Sequence, residues 1–320
     1  MEYRRLGKTA LKVSPLCMGT MQFGWSAAEA LSQRILTATY EAGINFIDTA
    51  DVYSRWVKGN PGGVAETIIG KWLKASKVPR QRLIIATKVR GRMWAGTDGE
   101  GLSRKHILRA VEDSLRRLQT EYIDLYQTHF PDENVAIEET LRALDDLVKL
   151  GKVRYVGCSN YQAAQLQEAL DASAQNGLVR YETLQPHYNL IHRAEFEAEL
   201  ADLCRKEGLG VIPYSPLEGG FLTGKYRRGQ PQPESVRAGN VRNAFTDQNF
   251  NLLERMETMA KARNVSVSQL ALAWLLSDPL ITSPIIGPRS LEQLQDNLGA
   301  LDVALTPDEK AQLNQLSHWR

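Results

Sequence analysis

Cysteine is scarce in this 320-residue chain: Cys17, Cys158 and Cys204 are odd in number, widely spaced and outside any CxxC pattern. That argues against a disulfide framework or a structural zinc site, and it suggests a reducing compartment. No apolar run approaches the roughly 18 residues of a membrane span, and the opening MEYRRLGKTALKV lacks the apolar core of a signal peptide, so a cytoplasmic protein with no membrane partner is expected. Charge of one sign is missing too. The 39 Lys and Arg residues nearly balance 37 Asp and Glu, and a formal net charge of +2 is too weak a field to suggest nucleic acid. Any basic site must be local. There is also no GxGxxG run, and hence no Rossmann fingerprint.

What is present is a repeat of short apolar runs, each followed by a stretch with helical periodicity. Eight strands are predicted: Pro15 to Gly19, Asn45 to Thr49, Leu83 to Lys88, Ile123 to His129, Arg154 to Ser159, Glu182 to Pro186, Gly210 to Tyr214 and Ile281 to Gly287. Several are apolar almost throughout, as parallel strands buried on both faces are. Eight helices alternate with them: Ala27 to Ala42, Val64 to Ser76, Ser103 to Leu118, Val135 to Leu150, Tyr161 to Asn176, Glu195 to Lys206, Ser266 to Leu276 and Ser290 to Leu298. Gly43, Gly151, Gly177 and Gly208 follow four of them, where a left-handed cap is wanted.

Eight such pairs without a composition break favour an α/β fold of the (β/α)8 TIM-barrel type, built as one domain over residues 1–320; a doubly wound sheet is the alternative. Tyr3 to Val13 reads as an N-terminal β-hairpin plugging the barrel. Asp247 to Arg263 and Thr306 to Leu316 are two extra helices. The one long irregular stretch, Glu218 to Phe245, is read as a lid or binding loop, with Lys225, Arg227, Arg228, Arg237 and Arg242 as its basic residues.

In barrels of this kind the chemistry sits at the C-terminal ends of the strands. Strand two ends in Asp48, with Tyr53 five residues on; strand three ends in Lys88 and strand four in His129. A tyrosine beside an ammonium and an imidazole, with an aspartate holding the lysine, forms a general-acid device, in which the cation is expected to lower the phenol pKa from about 10. Such a device suits protonation of a carbonyl oxygen as a hydride arrives at carbon.

The segments FIDTADVY, ATKV, DLYQTH, GCSN, LQPHYN, PYSPLEGGFLTGKY and IIGPRSLEQLQDN, in this order, resemble the motifs of the aldo-keto reductases. Within that superfamily GGFLTGKY and IIGPRSLEQLQDN are more similar to the bacterial branch related to potassium-channel β subunits. The resemblance implies NADPH-dependent reduction of aldehydes or ketones, with Tyr53 as acid/base, Lys88 tuning it, Asp48 orienting Lys88 and His129 orienting the carbonyl. It also implies that Ser159, Asn160 and Gln185 bond the nicotinamide carboxamide, with Tyr214 stacked on the ring and Gly19, Thr20 and Met21 alongside Asp48. Ser215, Pro216, Leu217, Gly219 and Lys225 would follow the pyrophosphate. Gly287, Arg289, Gln293, Asp296 and Asn297 would hold the adenosine end, Asp296 standing where relatives often carry Glu. Arg289 favours NADPH over NADH, because a guanidinium pairs with a 2′-phosphate in two-point geometry.

Phe23, Trp56, Trp94, Phe130 and Tyr188, together with Met21, are expected to form an apolar cup for a small carbonyl substrate. No metal is expected. Two other functions fit parts of the pattern: a class I aldolase using Lys88 as a Schiff base, and a slow-turnover NADPH-binding redox sensor, against which His129 weighs.

Overall fold

A computed structural model describes residues 1–231 and 241–319. The hairpin pairs β1 (Arg4–Arg5) with β2 (Lys12–Val13) antiparallel. The barrel strands are β3 (Cys17–Gly19), β4 (Phe46–Asp48), β5 (Ile84–Val89), β6 (Ile123–Thr128), β7 (Val153–Ser159), β8 (Tyr181–Gln185), β9 (Gly210–Val211) and β10 (Ile285–Ile286). All are parallel, in the order β10-β3-β4-β5-β6-β7-β8-β9. The ring closes between β9 and β10, where Thr282 N donates to Val211 O at 2.8 Å and Ile285 N to Pro213 O at 2.8 Å. Closure leaves no sheet edge to protect. This is the (β/α)8 barrel that the alternation of runs predicts.

Helices α1 (Glu29–Glu41), α2 (Val64–Ser76), α3 (Arg104–Leu118), α4 (Ile137–Lys149), α5 (Ala163–Asn176) and α6 (Ala201–Glu207) follow successive strands. Then come α7 (Asp247–Arg263), α8 (Val267–Leu276), α9 (Leu291–Leu298) and α10 (Pro307–Leu316). Side chains fix several of the starts: Ser103 accepts from His106 N, and Ser266/Gln269 and Thr306/Glu309 form reciprocal capping boxes. The four glycines read as helix ends all have positive φ. No described helix is long and apolar enough to cross a membrane.

Three elements depart from the sequence reading. Strands β9 and β10 are only two residues long, because Pro213 and Pro284 interrupt the predicted runs and lack the N–H a ladder needs. The helix expected from Glu195 begins as a π-turn over Phe196–Leu200 before α6.

The core has two parts. The larger lies between strands and helices; the smaller gathers Cys17, Phe46, Ile84, Ala86, Leu125 and Ile212 from successive strands with Leu6 and Val13 of the hairpin. Alternation along each strand then fixes which residues share this inner face: Phe46 with Asp48, Ile84 with Ala86 and Lys88, Leu125 with Gln127. At the hairpin, Gly7 (φ 56°) packs so tightly that a Cβ would lie 2.6 Å from Glu182 O and 2.8 Å from Gly210 N. The hairpin thus seals the end at which β8 and β9 begin, leaving the opposite end for a site.

Candidate active site

The register of neighbouring strands assembles the site. Asp48 pairs with Ala86 across β4 and β5, and Lys88 with Gln127 across β5 and β6, so inward alternation brings Asp48, Lys88 and Gln127 together. Lys88 Nζ donates to Asp48 Oδ1 at 2.5 Å, to Thr49 O at 2.9 Å and to Tyr53 Oη at 3.0 Å. The other Asp48 oxygen accepts from Gln127 at 3.2 Å and Gln185 at 2.9 Å. Asp48 and Lys88 are fully buried, and every hydrogen of the ammonium has an acceptor.

This network sets the charges. Burial works against the Lys88 cation, but Asp48 and the phenol oxygen outweigh it and raise its pKa, so it remains an ammonium. For Tyr53 the outcome reverses the expectation from sequence: burial is the largest effect, Asp48 reinforces it, and together they exceed the pull of Lys88, so the phenol lies above its ordinary value. Asp48 cancels much of the cation that was to lower it. His129, whose ring centroid is 6.0 Å from that of Tyr53, is pulled down to about 3 by burial and by the Lys88 and Arg90 charges. At neutral pH the group is therefore ammonium, neutral phenol and neutral imidazole. Because Lys88 donates to the phenol oxygen, the Tyr53 hydrogen is left to point elsewhere.

Above these groups opens a cleft of about 500 Å3. Asp48, Tyr53 and His129 line it, whereas Lys88 lies behind them. All of Gly19, Thr20, Met21, Ser159, Asn160, Gln185, Tyr214, Ser215, Pro216, Leu217, Gly219, Lys225, Gly287, Arg289, Gln293, Asp296 and Asn297 are on its walls. Asn160 takes a left-handed turn (φ 62°), donates to His129 O at 2.9 Å and accepts from the Tyr214 hydroxyl at 2.9 Å. Ser159 donates to Gln185 O at 2.8 Å. At the far end Arg289 N donates to Gln293 Oε1 at 2.8 Å at the start of α9, where Ser290 caps the helix; the Arg289 guanidinium has no ion pair among the described residues.

The aromatic cup is only partly as expected. Phe130 lines the cleft and stacks on His129 at 5.2 Å; Trp56 is half exposed, 6.3 Å from the Tyr53 ring. Phe23 and Tyr188 are buried in the main core, the Tyr188 hydroxyl donating to Glu197 at 2.7 Å, and Trp94 packs on His106 and Arg109. These three satisfy packing demands behind the loops, so the site does not contain them. In the 218–245 stretch, residues 232–240, with Arg237, lie outside the described residues. Arg227 and Arg228 pair with Glu257, Asp247 and Glu254 on or beside α7, not with the cleft.

Several residues the strand-end reading passed over also contribute. Gln127 is a further member of the buried network, legible only once the register sets it opposite Lys88. Gln22 donates to Gly19 O and Pro288 O, both at 2.9 Å, tying two cleft walls together. Ser266 and Ser268 line the far end, and Trp25 meets Trp56 edge-on at 5.6 Å; nothing in their sequence pattern sets them apart from a helix start and a loop. The three cysteines are buried with thiols raised by burial, which removes thiolate chemistry from consideration.

Residues 15–318 match the family model described as the aldo/keto reductase family. The chain is 37% identical to the uncharacterized oxidoreductase YrpG of Bacillus subtilis over 320 residues, which cover 99% of this chain and 96% of the relative. It is also 37% identical to the L-glyceraldehyde 3-phosphate reductase of Escherichia coli, over 98% of this chain and 92% of that one. An aldo-keto reductase of Fusarium vanettenii is 36% identical over 99% and 91%.

The depressed His129 pKa has a direct readout. Its imidazole resonances should stay fixed between about pH 5 and 8, where an unperturbed histidine would titrate. A midpoint near the ordinary value of about 6.5 would show that burial and the two cations do not hold the ring neutral.

Proposed function

The chain belongs to the aldo/keto reductase family, and on that premise we propose that it reduces aldehydes or ketones with NADPH, Tyr53 giving the proton. The observation that carries this reading is the Tyr53 phenol on the cleft wall, its oxygen bonded from behind by Lys88. The cleft suits an elongated dinucleotide. It runs from the polar groups of Ser159, Asn160 and Gln185 to the guanidinium of Arg289, and the left-handed Gly219 and Gly220 keep side chains off its middle.

In this assignment Tyr214 and the Ser159, Asn160 and Gln185 trio hold the nicotinamide. Ser215, Pro216, Leu217 and Gly219 with Lys225 hold the pyrophosphate, and Arg289 with Gln293, Asp296 and Asn297 the 2′-phosphoadenosine. Bound NADPH supplies the hydride. The protein supplies the rest: His129, neutral, donates its ring N–H to the substrate oxygen and orients it toward Tyr53. As negative charge grows on that oxygen, Tyr53 transfers its proton, and the resulting phenolate is stabilised by the Lys88 ammonium 3.0 Å away. Lys88 does not serve as a Schiff-base amine, because that role needs a neutral, accessible nitrogen, and this one is charged and buried against Asp48. Phe130, Trp56 and Trp25 form an apolar rim that admits a small carbonyl compound; a phosphorylated short-chain aldehyde belongs in the substrate panel because of the Escherichia coli relative's name.

Tyr53→Phe keeps the ring and removes only the hydroxyl. It should bind NADPH as wild type does and lose at least about 10²-fold in kcat, the low end for a positioned general acid; near-native turnover would assign the proton to another group. Arg289→Ala should weaken NADPH at least tenfold in a fluorescence titration and leave NADH unchanged. Equal losses for both nucleotides would reject the 2′-phosphate contact.

A further inference from the structure

Outside the cleft, three side chains that the proposed reaction does not use converge on one point. His187 Nε2 lies 2.9 Å from Glu218 Oε2, and His192 Nε2 lies 3.5 Å from Glu218 Oε1. The ligating atoms of all three lie within 4.8 Å of one another. None of the three lines the cleft, but His187 stacks on Tyr214, which does, with centroids 5.0 Å apart and an angle of 14°.

The geometry points to a binding site for a late first-row divalent metal ion, of which zinc is the type, formed by His187, His192 and Glu218. Such an ion takes imidazole nitrogens and a carboxylate oxygen at about 2.0–2.2 Å, which puts ligand atoms roughly 3.3–3.6 Å apart in a tetrahedral shell. The His192 separation from Glu218 falls within that range, and the His187 separation is a few tenths of an ångström shorter. Two imidazoles with one carboxylate select zinc, nickel or copper over magnesium or calcium, which prefer all-oxygen shells.

The frame is held in advance. Asn189 Nδ2 donates to Glu218 Oε2 at 2.8 Å and to Ser215 O at 2.9 Å, while its Oδ1 accepts from the amides of Ile191 and His192. One amide side chain thus fixes both the 187–192 turn and the carboxylate, as groups just outside metal ligands commonly do. The two imidazoles are stacked, 3.9 Å apart with a 27° angle, and both turn their Nε2 edge toward Glu218. His192, with 44% of its side chain exposed, is the ring that turns to complete the chelate, and its position at the surface leaves a fourth ligand to water. The buried cysteines offer the ion no competing thiolate.

The test is calorimetric titration of Zn²⁺ into chelator-treated full-length protein, alongside His192→Ala and Glu218→Gln. Wild type should bind one ion per chain, and each variant should bind at least tenfold more weakly. Co²⁺ as a probe should give visible d–d bands in wild type that both variants lose. His192→Ala alters a half-exposed ring, so its fold is secure even if Glu218→Gln disturbs the neighbouring turn. Absence of stoichiometric binding to wild type, or unchanged affinity and spectrum in His192→Ala, would overturn the site.

Discussion

The site depends on one buried charge, the Lys88 ammonium. Left unpaired in a dry interior it would cost several kcal/mol, and each of its hydrogens is met: by Asp48, by the Thr49 carbonyl and by the Tyr53 phenol. Asp48 in turn needs partners for its second oxygen, and Gln127 and Gln185 provide them from β6 and β8. Four strands of the barrel are therefore tied to one cation, with both charges satisfied and Tyr53 held at the cleft wall as a consequence. The cost of breaking any link falls on the whole network, because a remaining buried charge would be left without its partner.

The second constraint is left-handed backbone at Ser215 (φ 52°) and again at Glu218 (φ 45°), Gly219 (φ 57°) and Gly220 (φ 101°). Non-glycine residues hold such conformations only where the surroundings enforce them. Here Asn189 grips Ser215 O and the Glu218 carboxylate, and His187 meets that carboxylate from the other side. Farther along, Phe221, Tyr226, Phe245 and Phe250 pack as one aromatic cluster, which anchors both described arms of the 218–245 stretch to the body of the protein. The middle of the cleft is thus walled by backbone that the fold holds in place.

Much of this was legible in the sequence. Strands with near-continuous apolar character and helices with capped starts gave the barrel, and polar residues at strand ends gave Asp48, Lys88 and His129, since those positions follow from periodicity; the cleft walls came from the resemblance to the aldo-keto reductases. Loop side chains were less readable: whether Phe23, Trp94 or Tyr188 turns to the cleft or to the core depends on loop paths that no period encodes. Gln127 was hidden because its partner is defined by register, not by neighbours in sequence. The direction of the Tyr53 shift was also out of reach, for it turns on burial outweighing a cation whose field Asp48 already offsets.

That balance makes the central claim, a phenol kept protonated with its hydrogen free for the substrate, open to one direct measurement. Single-turnover rates should be followed from about pH 6 to 9 in both directions with the same carbonyl/alcohol pair. Since the Tyr53 pKa lies above its ordinary value of about 10, the acid form is full across this range and carbonyl reduction should be flat, while alcohol oxidation, which needs the scarce phenolate, should rise about tenfold per pH unit. Reduction that falls through a midpoint near neutrality, or oxidation indifferent to pH, would contradict the account.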